Sequence, residues 1–145
     1  MANTINTASL NVKGLPISTK MSVEICNLIR NKSLLSARRI LQDVVTMKRP
    51  IPIRRFNADL AHKPGMAAGR YPISASKVFL GLLDSVEANA ENKGLNVNNL
   101  LVVFAKADKG DARRRYGRKG GVKMKNTHVS LVVEEKTDTK ELKND

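Results

Sequence analysis

Residues 106–125 hold nine lysines and arginines against two aspartates, a local charge of +7, and lie between two short apolar runs. The first run is Leu100-Leu101-Val102-Val103-Phe104-Ala105. The second, Thr127 to Val133, sets Val129, Leu131 and Val133 on one side and His128, Ser130 and Val132 on the other. Both have the length and β-branched composition of strands. The segment between them cannot enter a core, because unpaired ions are costly to remove from water. Gly117, Gly120 and Gly121 sit near its middle, where a turn would fall. The pattern predicts an antiparallel hairpin over residues 100–133, its base in a sheet and its arms leaving that sheet. At about 3.3 Å per residue, roughly twelve residues beyond the base reach on the order of 40 Å. A two-stranded ribbon is marginal in water, and this one repels itself. It makes physical sense against a polyanion, which would supply phosphate contacts and release counterions.

The rest of the charge is also clustered. The chain has 145 residues, with 26 Lys and Arg against 13 Asp and Glu, for a net +13. Residues 48–70 carry six cations, one acid and three prolines, a local +5. The two runs therefore hold +12 of the +13. A merely solvated face is usually diluted by acids, and these runs are not. Residues 134–145 total −2, and residues 137–145 read as a polar C-terminal tail after a single domain of residues 1–136.

Apolar residues make up 41%, enough for a core in a chain of this length. Aromatics are 3% with no Trp, which argues against an aromatic platform for a run of bases. Cys26 alone cannot form an internal disulfide, and a reducing compartment is expected. One cysteine and two histidines do not make a zinc framework. Met1 to Leu10 lacks the apolar core of a signal peptide, and no run is long enough to span a bilayer. A soluble protein of a reducing compartment, with a polyanionic partner, no cofactor and no membrane partner, is expected.

Helical spacing marks three elements. Ser18 or Thr19 caps the first, with Met21, Ile25, Leu28 and Ile29 on one face and Glu24 near its positive end. Ser33 caps the second, whose stripe is Ala37, Ile40, Leu41, Val44 and Met47; Arg38, Arg39 and Asp43 face away, and Pro50 and Pro52 stop it. Ser74 caps the third, with Ala75, Phe79, Leu82, Val86 and Ala90 inward and Gly94 as its stop. Thr7 to Val12 reads as a further strand. Residues 48–72 show no period and read as an irregular basic loop.

No catalytic set emerges, and no enzyme is predicted. No phosphate-cradling Gly-x-x-x-x-Gly-Lys-Ser/Thr is present. Glu134 and Glu135 point to opposite sides of a strand, and Asp108 and Asp111 temper the basic run. Cys26 fits a small buried hydrophobe better than a nucleophile. His62, beside Lys63, fits an RNA or backbone hydrogen bonder better than a general base. His128 is open to a structural or an RNA-contacting role. Tyr116, inside Arg113-Arg114-Arg115-Tyr116-Gly117-Arg118-Lys119, either stacks on a splayed base or packs on its neighbours' stems.

These pieces, taken in order, resemble one family. Ser36-Ala37-Arg38-Arg39-Ile40-Leu41, Ala61-His62-Lys63-Pro64-Gly65 and Gly69-Arg70-Tyr71-Pro72-Ile73 carry the likeness. Val86-Glu87-Ala88-Asn89-Ala90-Glu91, Lys93-Gly94-Leu95, Gly117-Arg118 and Thr127-His128-Val129 complete it across residues 7–135. The chain resembles the family of universal large-subunit ribosomal protein twenty-two, in its archaeal and eukaryotic branch. The basic segment of residues 48–70 matches an extra segment of that branch. In place of the proline that many relatives carry before the tip, this chain has Arg113-Arg114-Arg115.

The resemblance implies an α+β fold, a three-stranded antiparallel sheet packed on three helices with a long protruding basic β-hairpin. It implies a structural constituent of the large ribosomal subunit that binds ribosomal RNA. The hairpin would reach the wall of the peptide exit tunnel, near ribosomal protein four and the nascent chain, with the globular part near the tunnel exit. Expected RNA contacts are Arg54, Arg55, His62, Lys63 and Arg70 on the loop. On the hairpin they are Lys106, Lys109, Arg113, Arg114, Arg115, Tyr116, Arg118, Lys119, Lys123 and Lys125, with His128 at its base. The alternative is a DNA-bending architectural protein with basic β-arms, which explains the arm but not the +5 loop.

Overall fold

The computed structural model describes residues 6–56 and 59–136; the polar tail expected at residues 137–145 lies outside them. The order is β1 (Thr7–Leu15), α1 (Thr19–Ile29), α2 (Leu34–Val45), β2 (Ile51–Pro52), β3 (His62–Lys63), β4 (Met66–Arg70), α3 (Ile73–Asn92), β5 (Leu100–Lys109) and β6 (Thr127–Glu135). Three helices and an antiparallel sheet in the order β1-β6-β5 give the expected α+β architecture.

In the sheet, Ala8 pairs with Val133, Leu10 with Leu131 and Val12 with Val129. These residues share the face turned to the helices, as the period of two requires. In β5 the alternation slips. Val102 pairs with Val133 but Phe104 with Val132, so an extra residue is accommodated at Val103. A bulge of this kind re-aims the side chains that follow. Leu100, Val102 and Ala105 are buried, whereas Val103 and Phe104 are exposed. The apolar run is thus buried only in part.

Both sheet edges are covered, which removes the usual sites of edge pairing. The turn between α1 and α2 bonds β5: the Asn31 N–H donates to Val102 O at 2.7 Å and the Val102 N–H to Lys32 O at 2.9 Å. Arg30 Nη2 adds a bond to Ala105 O at 2.7 Å. At the other edge, Asn89 of α3 and Lys93, which caps its C-terminal end, donate to Ser9 O and Thr7 O of β1. The buried side chains of Ile25, Ile29, Leu41, Phe79, Leu83 and Val86 fill the space between helices and sheet. Arg38 of α2 ties that helix to α3 by donating to Asp84 and Glu87. It therefore does more than face away from the core.

Helix ends depart from expectation in four places; at α1, Ser18 occupies the cap position but its side chain makes no cap bond. The Ser33 side chain does accept the Ser36 N–H. For α3, however, the cap is Pro72, whose carbonyl accepts the Ser76 N–H at 2.9 Å. Proline suits that position because it has no N–H to leave unpaired, and Ser74 lies inside the first turn. Met47 does not extend the α2 stripe. The chain leaves the helix there with φ +59, and the side chain is exposed. Glu24 lies beyond the first turn of α1, where the helix dipole has faded, and its carboxylate has another use.

The segment read as an irregular loop is a miniature antiparallel sheet in the order β2-β4-β3. Ile51 and Ile53 are buried and anchor it. Between β3 and β4, Lys63 pairs with Met66 across Pro64-Gly65, with Gly65 at φ +74. Proline followed by a residue with positive φ is the geometry of a type II turn. Pairs this short have no measurable sequence period, which is why the loop reading missed them.

Candidate nucleic-acid interface

The two basic segments are positioned by different means. The loop is held by Glu24, a buried carboxylate on α1. Its Oε1 accepts the Arg54 N–H at 3.1 Å and the Arg55 N–H at 2.8 Å. One anion thus fixes the backbone of adjacent arginines, whose side chains are exposed. Next to them the exposed Phe56 ring carries Lys20 Nζ 5.4 Å from its centroid and the Arg55 guanidinium 6.0 Å away.

The remaining loop candidates lie on the other strands of the small sheet. His62 and Arg70 are exposed, and the His62 ring bonds Ala67 O through Nδ1 at 3.0 Å. Lys63 is half-buried, with its ammonium 5.6 Å from the Tyr71 ring centroid, so it has a packing role of its own.

In the arm, the regular β5–β6 ladder runs to the Lys109 and Thr127 pair. Beyond it the two segments stay antiparallel through intermittent bonds. The Gly110 N–H donates to Asn126 O, the Met124 N–H to Arg113 O and the Arg115 N–H to Val122 O. The chain reverses through a 3-10 turn at Gly117–Lys119. The ladder becomes intermittent over the stretch in which exposed cations of one sign repel each other.

Lys106, Lys109, Arg113, Arg114, Arg115, Arg118, Lys119, Lys123 and Lys125 are all exposed. Lys106 is paired with Asp108 at 3.0 Å, which bears out the tempering role read for that aspartate. Tyr116 is 95% exposed, so its ring does not pack on its neighbours' stems.

The root of the arm is closely fitted. His128 Nδ1 accepts the Gly14 N–H at 3.0 Å, and Asn126 Nδ2 donates to Asp111 O at 2.9 Å. A Cβ at Gly110 would come within 2.8 Å of Asn126 Cγ and His128 Nε2. Glycine is therefore required there for close approach, and His128 has a structural role alongside its candidacy for RNA contact.

Sequence reasoning missed further cations on the body beside the basic loop. Arg30, Lys32 and Arg54 line one cleft. Lys32 also lines a neighbouring cleft of about 500 Å³ with Arg39 and Arg49. Arg30 and Lys32 belong to no basic run, so none marked them; their position where α1 gives way to α2 was the available signal, while Arg39 lies within α2. Cys26 is buried, and that burial pushes its thiol up to about 12, where it is no nucleophile near neutral pH. Among the described residues, no three His, Cys, Asp or Glu side chains are grouped to hold a metal, and no helix is long and apolar enough to cross a membrane.

Clusters of exposed cations on an α+β body are the pattern expected of a polyanion-binding protein. Comparison with known proteins makes the class definite. The family model described as ribosomal protein L22p/L17e matches residues 10–134. The large ribosomal subunit protein uL22 of Archaeoglobus fulgidus is 47% identical over 128 residues, covering 83% of each chain. Those of Methanoculleus marisnigri and Thermofilum pendens are 39% and 40% identical, covering 90% and 89% of each chain. The chain belongs to the ribosomal protein L22p/L17e family, a family of structural ribosomal proteins and not of enzymes.

Proposed function

We propose that this chain is a structural constituent of the large ribosomal subunit in the cytoplasm, and that it binds the subunit's ribosomal RNA. The observation that carries the reading is the family match over residues 10–134, which takes in both basic segments. Residues 1–136 act as one unit. Arg54, Arg55, His62, Lys63 and Arg70 contact RNA from the body. The arm, from Lys106 to Lys125 with His128 at its base, threads between RNA segments. There its charges are neutralised, and the ribbon that is marginal alone becomes ordered. The tip reaches the wall of the peptide exit tunnel beside ribosomal protein four, with Tyr116 toward the nascent chain and the body near the tunnel exit. The full exposure of Tyr116 and the absence of acids from residues 112–125 support this placement.

Family membership weighs against the DNA-bending alternative. Sedimentation tests the choice. A tagged copy should travel with large subunits and stay there through a moderate-salt wash, and its footprint should fall on large-subunit RNA. Recovery with the nucleoid instead would overturn the assignment.

A further inference from the structure

Where the arm meets the body, a cleft of about 360 Å³ opens between the start of α1 and the first residues of the arm. It is built from chain segments about ninety residues apart. Its floor is apolar: Ile17 is buried beneath it, while Ala112 and Met124 come from the two sides of the arm. Its rim is cationic, with Lys20 on the α1 side and Lys109, Lys123 and Lys125 on the arm side. No aspartate or glutamate lines it. Lys20 also stands over the exposed Phe56 ring of the basic loop, 5.4 Å from its centroid, so one residue of the rim touches that loop.

An apolar floor inside a ring of ammonium groups is a specific combination. A double helix offers phosphates but keeps its bases stacked, so the floor would go unused. An unpaired nucleotide offers both parts, a flat base to cover Ile17 and Met124 and a phosphate on either side for the lysines. The volume falls within the range of sites that enclose a small ligand. Ser18 at the rim makes no side-chain cap bond, so its hydroxyl is available to a base edge. We propose that this cleft receives one unstacked nucleotide of a single-stranded RNA segment, coupling the loop and the arm through Lys20. The inference rests on the reading of the chain as a ribosomal RNA binder and adds a base-sensing site to it.

The test uses the full chain with three fluorescent probes: a single-stranded RNA hexamer, the same hexamer with abasic residues, and an RNA duplex of equal charge. The intact hexamer should bind about twofold to fivefold more tightly than its abasic counterpart, less than a base stacked on an aromatic ring because the floor is aliphatic. Ala112→Leu fills the cleft from an exposed position without changing charge; Met124→Ser removes part of its floor. Each should abolish the preference for the intact hexamer while duplex affinity and its salt slope stay as in wild type.

Equal wild-type affinity for intact and abasic hexamers would overturn the inference. So would a preference that survives both substitutions, which would place the base on Phe56 or Tyr116. Tighter binding of a Glu- and Phe-containing peptide than of the hexamer would assign the cleft to a protein partner and also overturn it. Steep salt-dependent binding to large-subunit RNA without base preference would sink the cleft alone. Loss of all RNA binding would instead sink the functional reading.

Discussion

Glu24 is one residue on which the placement of the basic loop depends, and its chemistry gives a prediction in which two effects have opposite signs. Glu24→Ala raises the net charge from +13 to +14. Long-range attraction to RNA alone would then tighten binding. The carboxylate, however, is the acceptor for the Arg54 and Arg55 amides. Removing it should cost about 1–3 kcal/mol of stability and weaken RNA binding by loosening the arginines. Glu24→Gln keeps a carbonyl acceptor and should lose less than half as much. Urea unfolding and RNA titration of the two variants read this directly; tighter RNA binding by Glu24→Ala would show that position matters less than charge. Cys26 gives a pH prediction. Burial raises its thiol from 9.0 to about 12, so the folded chain holds a proton that the unfolded chain releases above pH 9. Stability from this group is complete below pH 9 and is lost as pH rises toward 12. Cys26→Ala should therefore lose less stability than wild type between pH 8 and pH 11 in thermal melts, and parallel losses would contradict the assignment.

At the scale of elements, the arm and the body should differ in order. Amides in residues 111–125 are supported by intermittent bonds and exposed side chains. Those of Phe79, Leu82 and Val102 sit in helix and sheet. In RNA-free protein, hydrogen exchange should be fast in the former and slow in the latter; strong protection along the arm would contradict this. The sequence made some of these elements plain and hid others for physical reasons. The three helices and the strands β1 and β6 were legible because each repeats its apolar residues over two or more periods, as Ala75, Phe79, Leu82, Val86 and Ala90 do, whereas β5 was legible as a short continuous apolar run. The bulge at Val103 was not, because Leu100 to Ala105 is apolar throughout and offers no alternation to slip. The small sheet of residues 51–70 was hidden by two-residue strands, although Pro64-Gly65 announced its turn. In the candidate site, the clustered charges of the loop and arm were visible as runs. Lys20, Glu24, Phe56 and Lys32 were not, since each acts through a partner far along the chain.

For the whole molecule, +12 of a net +13 is concentrated in two segments on one α+β body, with isolated cations such as Lys20 and Lys32 beside them. Binding to RNA should therefore be steeply salt-dependent, with both segments contributing. Each phosphate neutralised adds roughly 0.7 to 0.9 to the magnitude of the slope of log affinity against log salt. The loop and the arm should contribute separately, because the loop is fixed to α1 and the arm to the sheet. Arg54→Ala with Arg55→Ala should weaken binding while helix content stays unchanged. Replacing Arg113, Arg114 and Arg115 together should leave the body able to dock. The most direct test of the central claim is the salt dependence of affinity for large-subunit ribosomal RNA, measured for wild type and the Arg113/Arg114/Arg115→Ala variant. The account predicts a slope flattened by about two units in the variant, from three lost phosphate contacts. An unchanged slope would contradict it and would place the arginines of the tip away from the RNA.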